Sequence, residues 1–168
     1  MLRKLNRMPE SADLSTLLEQ LLATDVEFVL VGGLAAVVQG APITTFDIDI
    51  VHCRTEENVD RLLVFLAEVG AQYRNHKGPP LLPSRSALLG PGHSHFMTNL
   101  GPFDALGTIE GGADYDTLLP LSVVVSVAGR PLQVLSLETI VAFKRTSSDP
   151  KDKLRLPLLE AVLRRQQG

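Results

Sequence analysis

Leucines 14, 17, 18, 21 and 22 recur at the three- and four-residue spacing of a helix with one apolar face. Ser11 or Asp13 stands where a capping side chain belongs. The rhythm then changes. Residues 26–31, VEFVLV, are β-branched or aromatic and predict a buried strand that stops at Gly32-Gly33. LAAVVQG predicts a short helix ended by Gly40, and TFDIDIVH a second strand. The clearest helical stripe is Val59, Leu62, Leu63 and Leu66. Thr55 can cap that helix, Glu56 and Glu57 complement the dipole of its first turn, and Gly70 ends it.

Residues 74–93 break this regularity. Pro79, Pro80, Pro83 and Pro91, with Gly78, Gly90 and Gly92, predict a long loop. SHFMTN, PFDALG, LSVVVSV and PLQVLS then read as short strands, with turns at 101–102 and 129–131. SLETIVAFKR predicts a helix capped by Ser136. A last helix over 149–168 takes Asp149 as cap and Pro150 as first residue, and Pro157 is expected to kink or restart it. The order of elements predicts an α+β fold, a small mixed β-sheet flanked by helices, in one domain over 1–168.

Composition narrows the class. Of the 168 residues, 45% are hydrophobic, enough for a packed core. The net charge of -3 gives no global basic field for nucleic acid. The single Cys53 has no internal disulfide partner, which suits a reducing, cytoplasmic setting. The basic start MLRKLNRMPESADLS has no apolar stretch behind it and does not read as a signal peptide. FVLVGGLAAVV is well short of the ~20 residues of a spanning helix, so no membrane role is expected.

The candidate chemistry lies in VGGLAAVVQGAPITTFDIDI, residues 31–50. Asp47 and Asp49 are two apart in an apparent strand, so they share a face, with Ile48 and Ile50 on the other. Two carboxylates side by side repel, and burying them unpaired is costly. A divalent cation holds such a pair together, and hard oxygen ligands favour Mg²⁺ or Mn²⁺. Gly32-Gly33 allows a tight turn and close backbone approach, suited to a phosphate. Asp104, in the apolar PFDAL, is the best third carboxylate; Asp114 and Asp116 are weaker candidates beside Gly111-Gly112. A phosphate cradle beside an acidic metal site is the apparatus of phosphoryl or nucleotidyl transfer.

Gly-Gly at 32–33, Gly40, then Thr45 and DID at 47–49 resemble the DNA polymerase beta-like nucleotidyltransferase superfamily, and within it the small AbiEii-type toxins of toxin–antitoxin systems. The likeness runs over roughly Val26 to Val162. It implies a nucleotidyltransferase fold and transfer of NMP from an NTP to an acceptor hydroxyl on an RNA 3′ end such as tRNA, a protein or a small molecule. Asp47, Asp49 and Asp104 would bind the metals, and Asp104 would activate the attacking hydroxyl. Gly32, Gly33 and Thr45 belong to the nucleotide-binding motif, with Lys144 reaching a phosphate and Lys151 beside Asp152 matching a later motif. A cognate antitoxin or a second copy of the chain are the partners it implies. Relatives often carry arginine where this chain has Ile43, and Asp149 stands where another arginine is usual. Arg74, Lys77 and Arg85 are substitutes for those phosphate contacts. A nucleotide-binding or protein-binding module without catalysis is the alternative reading.

Plainer roles stand beside these. Lys144 in a last helical turn complements the helix dipole, and Lys151 with Asp152 forms a capped first turn. His93 and His95 lack a third soft ligand for zinc and read as a strand entry. His52 and Cys53 read as structural.

Overall fold

The computed structural model of the chain describes residues 12–168. Helix α1, Leu14–Leu22, buries Leu17, Leu18 and Leu21 and is capped by Asp13, whose Oδ1 accepts from the Thr16 N–H at 3.0 Å. The alternative cap, Ser11, lies outside the described residues. Strand β1, Phe28–Val31, is buried throughout. It leads directly into α2, Gly32–Val38, so this helix begins at the two glycines rather than after them. Strand β2, Ile48–His52, is shorter than the expected TFDIDIVH, and Asp47 sits just ahead of it.

Helix α3, Glu56–Glu68, packs Val59, Leu62, Phe65 and Leu66 into the core and is capped by Thr55. Its Asn58 is buried and fully bonded. Asn58 Nδ2 donates to the carbonyls of Glu27 and Cys53, and its Oδ1 accepts from the Glu27 N–H. That ties the helix to the ends of β1 and β2.

The proline-rich stretch 74–93 holds more structure than its composition suggests. It follows the two-residue strand β3, Gln72–Tyr73, and contains a one-turn helix α4, Arg85–Leu89, capped by Ser84. Leu88 is buried, and its carbonyl is 2.7 Å from His52 Nε2. One buried leucine and one buried imidazole pin the segment, which local pattern could not reveal. Cys53, half-buried just after β2, donates its N–H to the Glu27 carbonyl at 3.1 Å.

Strands β4, His93–Thr98, and β5, Gly101–Leu106, form a hairpin. The one-turn α5, Tyr115–Leu118, follows, with Asp114 as its cap. Then come β6, Ser122–Val127, and β7, Arg130–Leu135. Ser136 caps α6, Leu137–Thr146, and Asp149 caps α7, Pro150–Gln167. Pro157 neither ends nor restarts α7. It is exposed, as is Lys153 one turn back, so water can satisfy the carbonyl that proline leaves without a donor. Leu159 and Val162 anchor the helix beyond it.

The seven strands form one mixed sheet in the order β3-β4-β5-β2-β1-β7-β6. The β2–β5 and β1–β7 pairs are parallel and the others antiparallel. Thus β1, β2 and β5 sit at the centre, and the acidic residues of β2 and β5 become neighbours. Among the described residues no helix is long and apolar enough to cross a membrane.

Candidate active site

Strand register does most of the assembly. Asp49 on β2 lies opposite Asp104 on β5, with Ile48 opposite Phe103 and Ile50 opposite Ala105. Alternation turns Ile48, Ile50, Phe103 and Ala105 into the core and leaves the aspartates on the other face. Asp47, two residues before Asp49, joins them. One carboxylate oxygen from each of the three lies within 4.8 Å of the other two.

The glycines make room for this cluster. Gly32 follows the last residue of β1 and has φ +73°, a conformation that favours glycine. A Cβ there would run into the Asp49 carboxylate. A Cβ on Gly33 would stand 2.9 Å from Thr45 Oγ1. Thr45 in turn donates to the Asp47 carbonyl at 3.4 Å. Gly32 therefore abuts a carboxylate of the cluster, while Gly33 and Thr45 pack next to the backbone that carries Asp47.

The electrostatics are those of a cluster that a cation could neutralise. Burial pushes the Asp49 carboxyl up to about 8, aided by its hydrogen bond with Asp104 and the charges of Asp47 and Asp104, against the opposing pull of Arg74. Burial, and then the charge of Asp104, also raises Asp47. Two carboxyls whose charge is disfavoured in this way, with Asp104 beside them, fit a hard divalent ion.

Two side chains that the sequence did not place here complete the acidic wall. Arg74 Nη2 donates to Asp104 Oδ1 at 2.7 Å and its Nη1 to the Phe96 carbonyl at 3.0 Å. His95, directly across the β4–β5 ladder, brings Nδ1 to 3.0 Å from the same Asp104 oxygen. Arg74 is thus engaged by a carboxylate rather than held free on a loop for phosphate, and His95 does more than open a strand. His93 bonds the Thr108 carbonyl at 2.8 Å. Arg85 pairs with Asp60 on α3, and Lys77 is exposed; neither lines the cleft. Asp114 and Asp116 stay outside the acidic cluster.

Facing the sheet is a second wall made by α6 and α7. Together they enclose a cleft of about 240 Å³. Gly32, Asp49 and Asp104 line the sheet side; Ile140, Phe143, Lys144 and Asp152 line the helix side, with His95 and Glu110 also on its surface. Lys144 Nζ is 2.7 Å from Asp152 Oδ1, and Ser147 Oγ donates to Oδ2 at 2.6 Å. Burial pushes the Asp152 carboxyl up, but the bonds from Lys144 and Ser147 outweigh it and hold the carboxyl below its usual value. Lys151 is exposed on the first turn of α7, its N–H bonded to the capping Asp149, and is not among the cleft-lining residues. Arg155, one turn further, donates to the Thr44 carbonyl at 3.2 Å. Its Nη1 would lie 3.6 Å from a Cβ on Gly33. A cation from the last helix therefore stands beside the glycine turn, near where Ile43 withholds one. No local signal pointed to it, because 111 residues separate Arg155 from Thr44.

The same architecture occurs in solved structures. The lincosamide antibiotic adenylyltransferase LnuA, with lincomycin bound, superposes with a TM-score of 0.60 over 92% of this chain and 99% of that one, at 15% identity. The fold is that of the nucleotidyltransferases. The antibiotic-resistance factor ANT(2'')-Ia shares this nucleotidyltransferase fold with a TM-score of 0.55, 15% identity, and 89% and 84% of the two chains covered. No protein-family model matches the sequence, and no curated protein matches it.

Proposed function

We propose that this protein transfers a nucleoside monophosphate from an NTP to a hydroxyl of a small-molecule acceptor and releases pyrophosphate. The observation that carries the reading is a cleft with Asp49 and Asp104 on one wall, Asp47 clustered with them, and Lys144 on the other wall. Asp47, Asp49 and Asp104 would hold Mg²⁺ or Mn²⁺. When bound, such an ion neutralises the carboxylates and stabilises charge on the attacking and leaving oxygens.

The chain's own residues supply the rest. Gly32 and Gly33 present backbone without side chains, so phosphate oxygens can approach closely. Lys144, oriented by Asp152, contacts a phosphate, and Arg155 adds a second cation beside Gly33. Asp104 activates the acceptor hydroxyl, its carboxylate fixed by Arg74 and His95. The acceptor oxygen forms a bond to the α-phosphorus as the bond to the β-phosphate bridge breaks, and the hydroxyl proton passes to Asp104. A small acceptor suits a cleft of this size, and LnuA is an antibiotic adenylyltransferase with lincomycin bound.

The test is transfer of label from each α-labelled NTP, with Mg²⁺, to a panel of acceptors that includes lincomycin, tRNA and protein, compared with Asp47→Ala. Label on a small hydroxyl compound in the wild type alone supports the proposal. Label on tRNA or protein keeps the chemistry and corrects the acceptor toward the toxin-like relatives. NTP binding without transfer identifies a non-catalytic module, and absence of both overturns the reading.

A further inference from the structure

The sheet has two ends, and they are finished differently. At one end the edge strand β3 is two residues long, and its Tyr73 N–H is bonded to the Leu81 carbonyl at 2.9 Å. At the other end β6 presents six residues, with unbroken register against β7 on its inner side. Proteins usually blunt such an edge with a charge, a proline or a bulge. Ser122–Val127 has none of these. Val124 is 62% exposed and Val123 42%, and Leu121, just before the strand, is exposed as well.

The ladder shows which backbone groups are free. β6 and β7 are joined by Ala128-Gly129, with φ +49° and +76°, and Val127 pairs with Arg130. In a two-residue hairpin that closing pair is hydrogen-bonded. Counting back by twos, Val127, Val125 and Val123 turn their N–H and C=O toward β7. Ser126 and Val124 turn theirs outward, as Ser122 turns its carbonyl, while the Ser122 N–H is bonded to the Leu119 carbonyl. The sequence around Val124 reads the same in both directions: Ser-Val-Val-Val-Ser over 122–126.

We propose that β6 pairs antiparallel with β6 of a second copy of this chain, about a two-fold axis at Val124, joining the two sheets into one. Val124 then faces its own counterpart, and Ser122 faces Ser126 of the second copy. The backbone groups of Val124 and Ser126 and the carbonyl of Ser122 are the ones that this register pairs. Valine meets valine, serine meets serine, and no charge is desolvated. An interface between identical patches must be self-complementary, and this segment is so in sequence, register and hydrogen-bond phase.

The test is sedimentation velocity of the full chain over a concentration series. The expected species is a dimer of twice the 18.2 kDa chain, with no larger assembly. Val124→Pro removes only an outward-facing N–H, which an edge strand tolerates, so it is expected to give a folded monomer. Val124→Lys adds like charges at the axis, is expected to do the same, and decides the matter if the proline variant does not fold. Register is read by cysteine cross-linking in a Cys53→Ser background. Hydrogen-bonded neighbours lie about 5.5 Å apart at Cα, within disulfide range. Val124→Cys should link to itself, whereas Ser122→Cys and Ser126→Cys should link only when mixed. A monomer at every concentration overturns the proposal, as does a dimer that survives Val124→Lys, self-linking of Ser122→Cys, or open-ended growth.

Discussion

On the sheet wall of the cleft, Asp49 and Asp104 are set opposite each other by strand pairing, with Asp47 two residues along on the same face. On the helix side, Lys144 lines the cleft from α6 and Arg155 stands beside Gly33 from α7, each placed by a polar contact, to Asp152 and to the Thr44 carbonyl. The sheet wall gains its geometry from the core behind it, where Ile48, Ile50 and Phe103 are fully buried. It therefore holds an electrostatically unfavourable cluster in place without a cation. The helix side places its cations through ion pairs and hydrogen bonds of the side chains themselves. On the proposed function, the acidic platform would bind the metal and the basic cover would capture the substrate.

The largest effect should come from the platform. Asp47→Asn or Asp49→Asn is expected to lower kcat/KM about 10³-fold, several kcal/mol of transition-state stabilisation. Asp49→Asn should at the same time raise the melting temperature of the metal-free protein, because a buried repulsion is gone. An asparagine variant that lost both activity and stability would show that the cluster is structural.

Next is the turn that clears the platform. Gly32→Ala puts a Cβ against the Asp49 carboxylate at a positive φ. Backbone strain of this kind costs about 1–3 kcal/mol, and displacing a catalytic group by about 1 Å costs about 10²-fold in rate. Thermal melts with turnover assays read both. On the helix wall, Lys144→Met and Arg155→Met should each raise KM for the NTP about tenfold, with a smaller change in kcat, as loss of ground-state phosphate binding predicts. Equal falls in kcat and kcat/KM would move these residues from capture to chemistry.

The gentlest probe is pH. The folded Asp49 carboxyl sits at about 8, against 3.8 for its ordinary value. Between these values the folded state keeps a proton that the unfolded state has lost, so stability falls as pH rises. Asp47, raised by burial, acts in the same direction. The metal-free protein should melt at progressively lower temperature from about pH 4 to pH 8. Mg²⁺ should restore it increasingly over the same window, since the ion needs deprotonated ligands. Asp49→Asn should flatten the slope.

The same contrast explains what could be read in the sequence. Aspartates two apart in an apolar strand share a face by period alone, and Gly32-Gly33 announced a turn that only small residues allow. The caps Asp13, Thr55, Ser136 and Asp149 were legible because capping is local. What stayed hidden was set by distance along the chain. Arg74 meets Asp104 thirty residues on, and His95 meets it only through the β4–β5 register. Arg155 reaches the glycine turn from the last helix. Helix α4 escaped notice because one buried leucine, not a periodic stripe, holds it.

A nucleotidyl-transfer site in this cleft would bind an NTP through a divalent ion held by its carboxylates. Calorimetric titration of each NTP into the protein, with and without Mg²⁺ and repeated on Asp47→Asn, tests it directly. Binding by the wild type should require Mg²⁺ and be lost in the variant. Equal binding without the ion, or binding undiminished in Asp47→Asn, would contradict it.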